Sequence, residues 1–232
     1  MTDGPAGPRG DGERLILLLV GAVGAGKGTQ ASILSRELGL PHLASGNLFR
    51  AAMAAGTPLG EDARVYMERG ELVPDEITIA MFMEELAQPR AAQGAILDGF
   101  PRTVGQAEAL DETLARQGEG IRRVFSIDVP TEELVRRVAG RWICPTCGTP
   151  YHETTDPPRV AGLCDRDGTA LRQRDDDRPE VVRARLERQV PPMLAVVAHY
   201  EQAGIVDHLD GRRSIDEVTT MILERIGAGT AG

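Results

Sequence analysis

The single lysine of this 232-residue chain lies in its most phosphate-friendly turn. The other 25 basic side chains are all arginine. The turn reads Gly21-Ala22-Val23-Gly24-Ala25-Gly26-Lys27-Gly28-Thr29, so the pattern G-x-x-x-x-G-K spans 21–27. Glycines allow the tight wrapping that points successive backbone N–H groups inward at a phosphate chain. A helix beginning there adds its positive end, and a lysine reaches the outer phosphates. A compact ammonium on a thin stem fits between phosphate oxygens and a closely wrapped backbone, where a planar guanidinium is too wide. The strict motif has Ser or Thr directly after Lys; here Gly28 intervenes and Thr29 follows.

A second group of residues has metal-ligand spacing. Cys144-Pro-Thr-Cys147 and Cys164-Asp-Arg-Asp167 form C-x₂-C-x₁₆-C-x₂-D. Two pairs with two-residue gaps match a tetrahedral zinc knuckle whose last ligand is a carboxylate. Structural Zn²⁺ on Cys144, Cys147, Cys164 and Asp167 is the expectation, with no open coordination position. His152 competes with Asp167 as fourth ligand. Reduced thiols with polar packing, or a Cys144–Cys147 disulfide, are the metal-free alternatives.

These residues need elements to position them. Leu15–Val20 is apolar on both faces, as a buried parallel strand is. Ala95–Asp98, Val124–Val129 and Ile205–Leu209 read as further strands, and Leu43–Ala44 as the end of a short one. Helical stretches lie near 47–55, 61–69, 75–87, 104–117, 131–139 and 179–203, besides the one that follows the glycine-rich turn to about Glu37. A last helix opens at Ser214-Ile-Asp-Glu217, a capping-box pattern. Strands alternating with helices predict an α/β fold: a parallel sheet covered on both faces. Residues 141–177 break the alternation with four prolines, three glycines and all three cysteines. Such a stretch buries little apolar area and needs a staple.

Composition excludes other classes. Hydrophobic residues make up 41%, too many for a disordered acidic chain. The apolar run Leu15–Val23 is about half a membrane span. The N-terminal stretch is Gly/Pro-rich and does not read as a signal peptide. A net charge of −9 argues against phosphate-backbone binding as the main task. An odd number of cysteines points to a reducing compartment, and the expected location is the cytoplasm.

Together, GAVGAGKGT, LASGNLFRAA, GELVPDE, ILDGFPRT and RQRDDDRPEVVRARL resemble the adenylate kinases of the long-lid type, over about 14–226. The resemblance implies a P-loop NTPase-like core (15–44, 74–140 and 178–226), a monophosphate-binding insert (45–73) and a zinc-stapled lid (141–177), with tails at 1–14 and 227–232. It implies ATP, AMP and ADP as partners, Mg²⁺ with ATP, no nucleic acid or membrane, and a monomer. Gly24, Ala25, Gly26, Lys27, Gly28 and Thr29 would take ATP, with Arg137, Arg141, Tyr151 and Arg213. Ser45, Arg50, Glu71, Leu72, Val73, Gly99, Phe100, Arg102, Gln106, Arg174 and Arg185 would take AMP. Lys27, Asp98, Arg102, Arg141, Arg174 and Arg185 would serve the transfer, Asp98 through water on Mg²⁺. The chain departs from the family at Ser45-Gly46-Asn47, where Thr-Gly-Asp is usual; Ser45 keeps the hydroxyl and Asn47 remains able to cap a helix. A GTP:AMP phosphotransferase, or another monophosphate kinase, is the alternative activity. A zinc-knuckle module binding nucleic acid through Arg159, Arg166, Arg172 and Arg174 is disfavoured by the aspartates among them.

Overall fold

The run of six apolar residues from Leu15 to Val20 forms strand β1, the centre of a five-stranded parallel sheet in a computed structural model that describes residues 14–68, 73–153, 156–173 and 177–228. The other strands are β2 (His42–Ala44), β3 (Gly94–Asp98), β4 (Arg123–Asp128) and β7 (Val206–Asp210), in the order β2-β3-β1-β4-β7. From β1 the chain crosses over to edge strand β2 and returns to β3. It then passes to the other side of β1, so the order reverses at β1. Ligands of open parallel sheets bind beyond the carboxyl ends of the strands at such a reversal. Leu19 of β1 is level with Asp98 of β3, so the two chain exits lie side by side.

Alternation along β1 builds both halves of the core. Leu17 and Leu19 pack with helices α1 (Lys27–Leu38), α6 (Thr131–Ala139), α8 (Ile215–Ala228) and the first half of α7 (Pro179–Glu201). Ile16, Leu18 and Val20 pack on the other face with α4 (Asp75–Leu86), α5 (Val104–Ala115) and the second half of α7. Ile16, Leu17 and Leu18 are fully buried, and burial of each such side chain contributes roughly 1.5–3 kcal/mol. A buried Gln30 ties α1 to α8: its amide donates to the Ile215 carbonyl and accepts from the Thr219 hydroxyl.

Two smaller clusters stand apart from these. α2 (Ser45–Ala55), α3 (Pro58–Glu68) and α4 gather Phe49, Ala63, Val73 and Met81. Beyond α6, β5 (Arg141–Ile143) and β6 (Pro150–His152) form an antiparallel pair, extended by isolated bridges from Ile143 to Arg172 and from Leu163 to Ala170. Trp142, Cys144, Tyr151, Cys164 and Leu171 cluster there.

The structure adjusts several boundaries. Helix α2 starts at Ser45, two residues before the expected start, so Asn47 sits inside its first turn rather than capping it. Arg14 is not part of a loose tail. Its guanidinium donates to the Leu86 and Ala91 carbonyls at 2.6 and 3.1 Å and pairs with Glu119 at 3.0 Å, satisfying carbonyls around the end of α4. Helix α8 runs on through 227–228. The expected capping box is present: Ser214 Oγ accepts from Glu217 N, and Ser214 N donates to the Glu217 carboxylate at 2.9 Å. Among the described residues no helix is long and apolar enough to cross a membrane.

Candidate active site

The turn after β1 is held by packing as well as by sequence. Gly24 has φ +85°, and a Cβ there would stand 2.7 Å from a Val138 methyl of α6. Only glycine meets both conditions. Gly26 precedes α1 without a side-chain cap, so the first backbone N–H groups of α1 have no side chain competing for them. Lys27 bends back over the loop and its Nζ donates to the Ala22 carbonyl at 3.0 Å. Gly28, where Ser or Thr is usual, faces Asp98: an added Cβ would already touch Oδ2 at 3.5 Å.

Asp98 ends β3 beside this loop. Its Oδ2 lies 3.1 Å from His42 Nε2, on the neighbouring strand. Burial pushes the Asp98 carboxyl up, but the His42 hydrogen bond and the Lys27 and Arg102 charges outweigh it and hold it below the usual range. Lys27 is pushed down, first by desolvation. Asp98 opposes that shift, and Arg102, Arg141 and Arg185 reinforce it. One carboxylate and three guanidinium groups, drawn from β3, β5, α7 and the loop after β3, are thus within electrostatic reach of Lys27 on α1. Arg141 is fixed by a bidentate pair with Asp177, which is fully buried; its Nε donates to Oδ2 at 3.0 Å. The bidentate geometry keeps the guanidinium from rotating. Arg174 lies outside the described residues.

A cleft opens on the β2 side of Asp98, lined by Ser45, Val73, Gly99, Arg102 and Gln106 among others. Arg102 donates from Nη2 to Ser45 Oγ at 2.9 Å and from Nε to the Gly99 carbonyl at 2.7 Å. Arg50 reaches back one helical turn and donates to Asn47 Oδ1 at 2.6 Å. A neutral amide accepts there, so the guanidinium keeps its full charge for an anion. Val73 is buried at the cleft, while Glu71 and Leu72 lie outside the described residues.

Other expected residues are placed differently. The Phe100 ring is buried and stacks on Phe82, with centroids 4.1 Å apart, so it supports the loop from beneath. Arg137 pairs with Glu133 at 2.8 Å along α6, and Arg213 reaches toward Glu217 at 3.5 Å. Tyr151 is buried in the cluster beside β5 and β6. Its hydroxyl accepts from Asp165 N at 2.8 Å and lies 3.4 Å from Cys164 Sγ. The ring therefore helps to build the knuckle.

The knuckle itself has the expected members. Ligand atoms of Cys144, Cys147, Cys164 and Asp167 all lie within 4.8 Å of one another. Cys147 and Cys164 sulfurs are 3.5 Å apart, and Cys144 Sγ is 3.4 Å from both Asp167 oxygens. Tetrahedral zinc with Zn–S near 2.3 Å spaces its sulfurs by about 3.8 Å, so the four donors fit that ion. Backbone N–H groups of Cys147 and Arg166 point at Cys144 and Cys164 sulfur, each at 3.4 Å, and donate to sulfurs that would carry negative charge as thiolates. His152 is not in the group; it packs against Gly140. No disulfide joins the cysteines.

Sequence reasoning missed four residues of this site: His42, Asp75, Thr103 and Asp177. Asp75, Thr103 and Asp177 all lie in the quoted motifs, while His42 precedes one of them. The partners of His42, Asp75 and Asp177 are distant in the chain, so spacing gave no signal for them, whereas Thr103 caps α5 three residues ahead of Gln106 and has a local T-x-x-Q pattern.

The comparisons with known proteins agree with this geometry. The family model described as Adenylate kinase matches residues 19–205. An adenylate kinase of Exiguobacterium sibiricum is 48% identical over 211 residues, covering 91% of this chain and 98% of that protein. Adenylate kinases of Staphylococcus epidermidis and Staphylococcus aureus are each 44% identical over 208 residues, covering 90% of this chain and 97% of theirs. With the phosphate loop, the adjoining cleft and the four-donor knuckle in place, the chain belongs to the adenylate kinase family.

Proposed function

We propose that this protein interconverts ATP plus AMP and two ADP. The observation that carries the reading is that Asp98, Arg102, Arg141 and Arg185 all act on Lys27, where the phosphate loop adjoins the cleft lined by Ser45, Gly99 and Arg102. A donor on the loop and an acceptor monophosphate in the cleft would meet at that charge. The acceptor oxygen is already anionic, so no general base is required. Alignment and charge stabilisation do the chemistry. In this reading the loop N–H groups and Lys27 hold the donor phosphates. Arg50 and Arg102 hold the acceptor phosphate, and Arg141 and Arg185 face the transferred group. Asp98 and the Thr29 hydroxyl offer the hard oxygen ligands Mg²⁺ takes; bound with ATP, the ion neutralises phosphate charge. Cys144, Cys147, Cys164 and Asp167 would hold a structural zinc that crosslinks the lid. In this reading the odd number of cysteines goes with a reducing compartment, the cytoplasm, and the family resemblance goes with a monomer.

The test is ³¹P NMR with ATP or GTP as donor and AMP, CMP, UMP or GMP as acceptor. ADP formation from ATP and AMP is expected to be the fastest pairing. Equal or faster turnover with GTP would move the assignment to a GTP:AMP phosphotransferase.

The acceptor side carries a second expectation. Gly99 has φ +73°, and an added Cβ would lie 2.9 Å from Ser45 Oγ and 3.1 Å from Arg102 Nη2. Gly99→Ala therefore forces apart the hydrogen bond that orients Arg102. We expect KM for AMP to rise about tenfold or more with KM for ATP nearly unchanged, and stability to fall by about 1 kcal/mol from the left-handed backbone. Steady-state kinetics with each substrate varied in turn checks this.

A further inference from the structure

The carboxamide of Gln106 is buried in the wall of the acceptor cleft and is held at both ends. Its Oε1 accepts from the backbone N–H of Arg102 at 2.7 Å. Its Nε2 donates to Asp75 Oδ1 at 2.7 Å. The other oxygen of Asp75 accepts from Thr103 Oγ1 at 2.7 Å, and that hydroxyl in turn caps α5 by accepting from Gln106 N at 3.1 Å. A backbone N–H only donates and an ionised carboxylate only accepts. Turning the amide over would set N–H against N–H at Arg102 and oxygen against oxygen at Asp75. The network therefore admits one orientation of Gln106.

That orientation matters because an amide has two hydrogen-bonding sites at each end. One lone pair and one N–H are used on the flanks. The remaining lone pair and N–H lie on the same outer edge, side by side. In the enforced orientation this edge matches a base with a ring nitrogen that accepts beside an exocyclic amino group that donates. A 6-oxopurine presents the opposite order, a ring N–H that donates beside a carbonyl that accepts, and needs the amide turned over.

We propose that Asp75 is a specificity-determining positioning residue: by fixing the Gln106 amide, it makes the acceptor cleft select a 6-aminopurine over a 6-oxopurine monophosphate. The inference rests on Gln106 as the base-reading group. Asp75 acts through Gln106 and need not touch the base.

The experiment measures kcat/KM for AMP and for IMP, which differ only at the base edge, in the intact enzyme and in Asp75→Ala, Asp75→Asn, Gln106→Ala and the Asp75→Ala/Gln106→Ala double variant. Loss of a charge-assisted hydrogen bond predicts that Asp75→Ala lowers the AMP:IMP ratio by roughly ten- to a hundredfold, through loss of AMP and gain of IMP, with KM for ATP unchanged. Asp75→Asn, which keeps the shape and retains an acceptor, is expected to fall between the wild type and Asp75→Ala, and it serves if truncation unfolds α4. In the Gln106→Ala background, Asp75→Ala is expected to change the ratio no further. A collapsed ratio in Gln106→Ala with a wild-type ratio in folded Asp75→Ala or Asp75→Asn overturns the role of Asp75 and leaves Gln106 as the reader. An unchanged ratio in Gln106→Ala overturns the reading on which the proposal stands. A purely structural role for Asp75 would lower the melting temperature and kcat with both acceptors alike, leaving the ratio intact, and would also overturn it.

Discussion

Lys27→Arg is expected to fold as the wild type does and to lose roughly 10²–10³ in turnover, the scale of removing one well-placed electrostatic stabiliser. The substitution keeps the charge, so the loss tests shape. Lys27 Nζ is seated on the Ala22 carbonyl at 3.0 Å, inside the curve of the loop. Gly24 is pressed against Val138 of α6, which resists any widening of the loop to admit a guanidinium. Three guanidinium groups already surround the ammonium and, after desolvation, help push it down. A fourth would carry its charge on a planar fork that must displace either a phosphate oxygen or a neighbouring arginine. The measurement is kcat at saturating ATP and AMP, with a melting temperature within a few degrees of wild type as the folding control. Near wild-type turnover in a folded variant would overturn the argument, and would reduce the lone lysine in a chain of 25 arginines to coincidence.

The parts of this site that were legible in the sequence are those whose cause is local. The strand, glycine turn and helix from Leu15 to Leu38 announce themselves because each follows from residues within a few positions. The Ser214–Glu217 capping box is legible for the same reason, and so is the C-x₂-C-x₁₆-C-x₂-D knuckle, whose donors the fold brings within 4.8 Å. The start of α2 was not legible, because Ala44 precedes it with no capping side chain, leaving Asn47 as the misleading signal. Strands β5 and β6 are three residues each, too short to show a period. Long-range pairs left no trace at all: Arg141 meets Asp177 across 36 residues, and Gln106 meets Asp75 across 31. Such contacts are decided by topology: Arg141 and Asp177 stand at the two ends of the insert that β5 opens, and Asp75 and Gln106 in the first turns of the helices before and after β3. The family resemblance named Arg141 and Gln106, but it did not reach the carboxylates that hold them.

Metal removal is expected to melt the lid before the rest of the molecule. Among the described residues of the lid only Cys144, Tyr151, Cys164 and Leu171 are buried and apolar, with Trp142 packed against them. Two of those four are ligands, so without the ion half of the small core becomes thiols held close to the Asp167 carboxylate. Backbone and side-chain hydrogen bonds from Thr169 hold that carboxyl well below the usual range, so it stays charged and ready to ligate across ordinary pH. Structural zinc in small domains contributes on the order of 10 kcal/mol to order, far more than a four-residue cluster supplies. Arg141 begins β5 at the root of this unit, so disorder there also frees the guanidinium that Asp177 holds and removes turnover. The chain has one tryptophan, and it reports on this unit alone: Trp142 faces Tyr151 across the β5–β6 pair. The expected outcome is one zinc per chain by elemental analysis. A strong chelator should shift Trp142 emission to that of an exposed indole and lower the melting temperature, and zinc should restore both. Asp167→Ala should weaken zinc retention and Asp167→Cys should keep it, since a thiolate replaces the fourth donor. A metal-free protein with unchanged melting temperature and unchanged Trp142 emission would overturn the staple, leaving the lid to be held by the β5–β6 pairing and its few buried side chains.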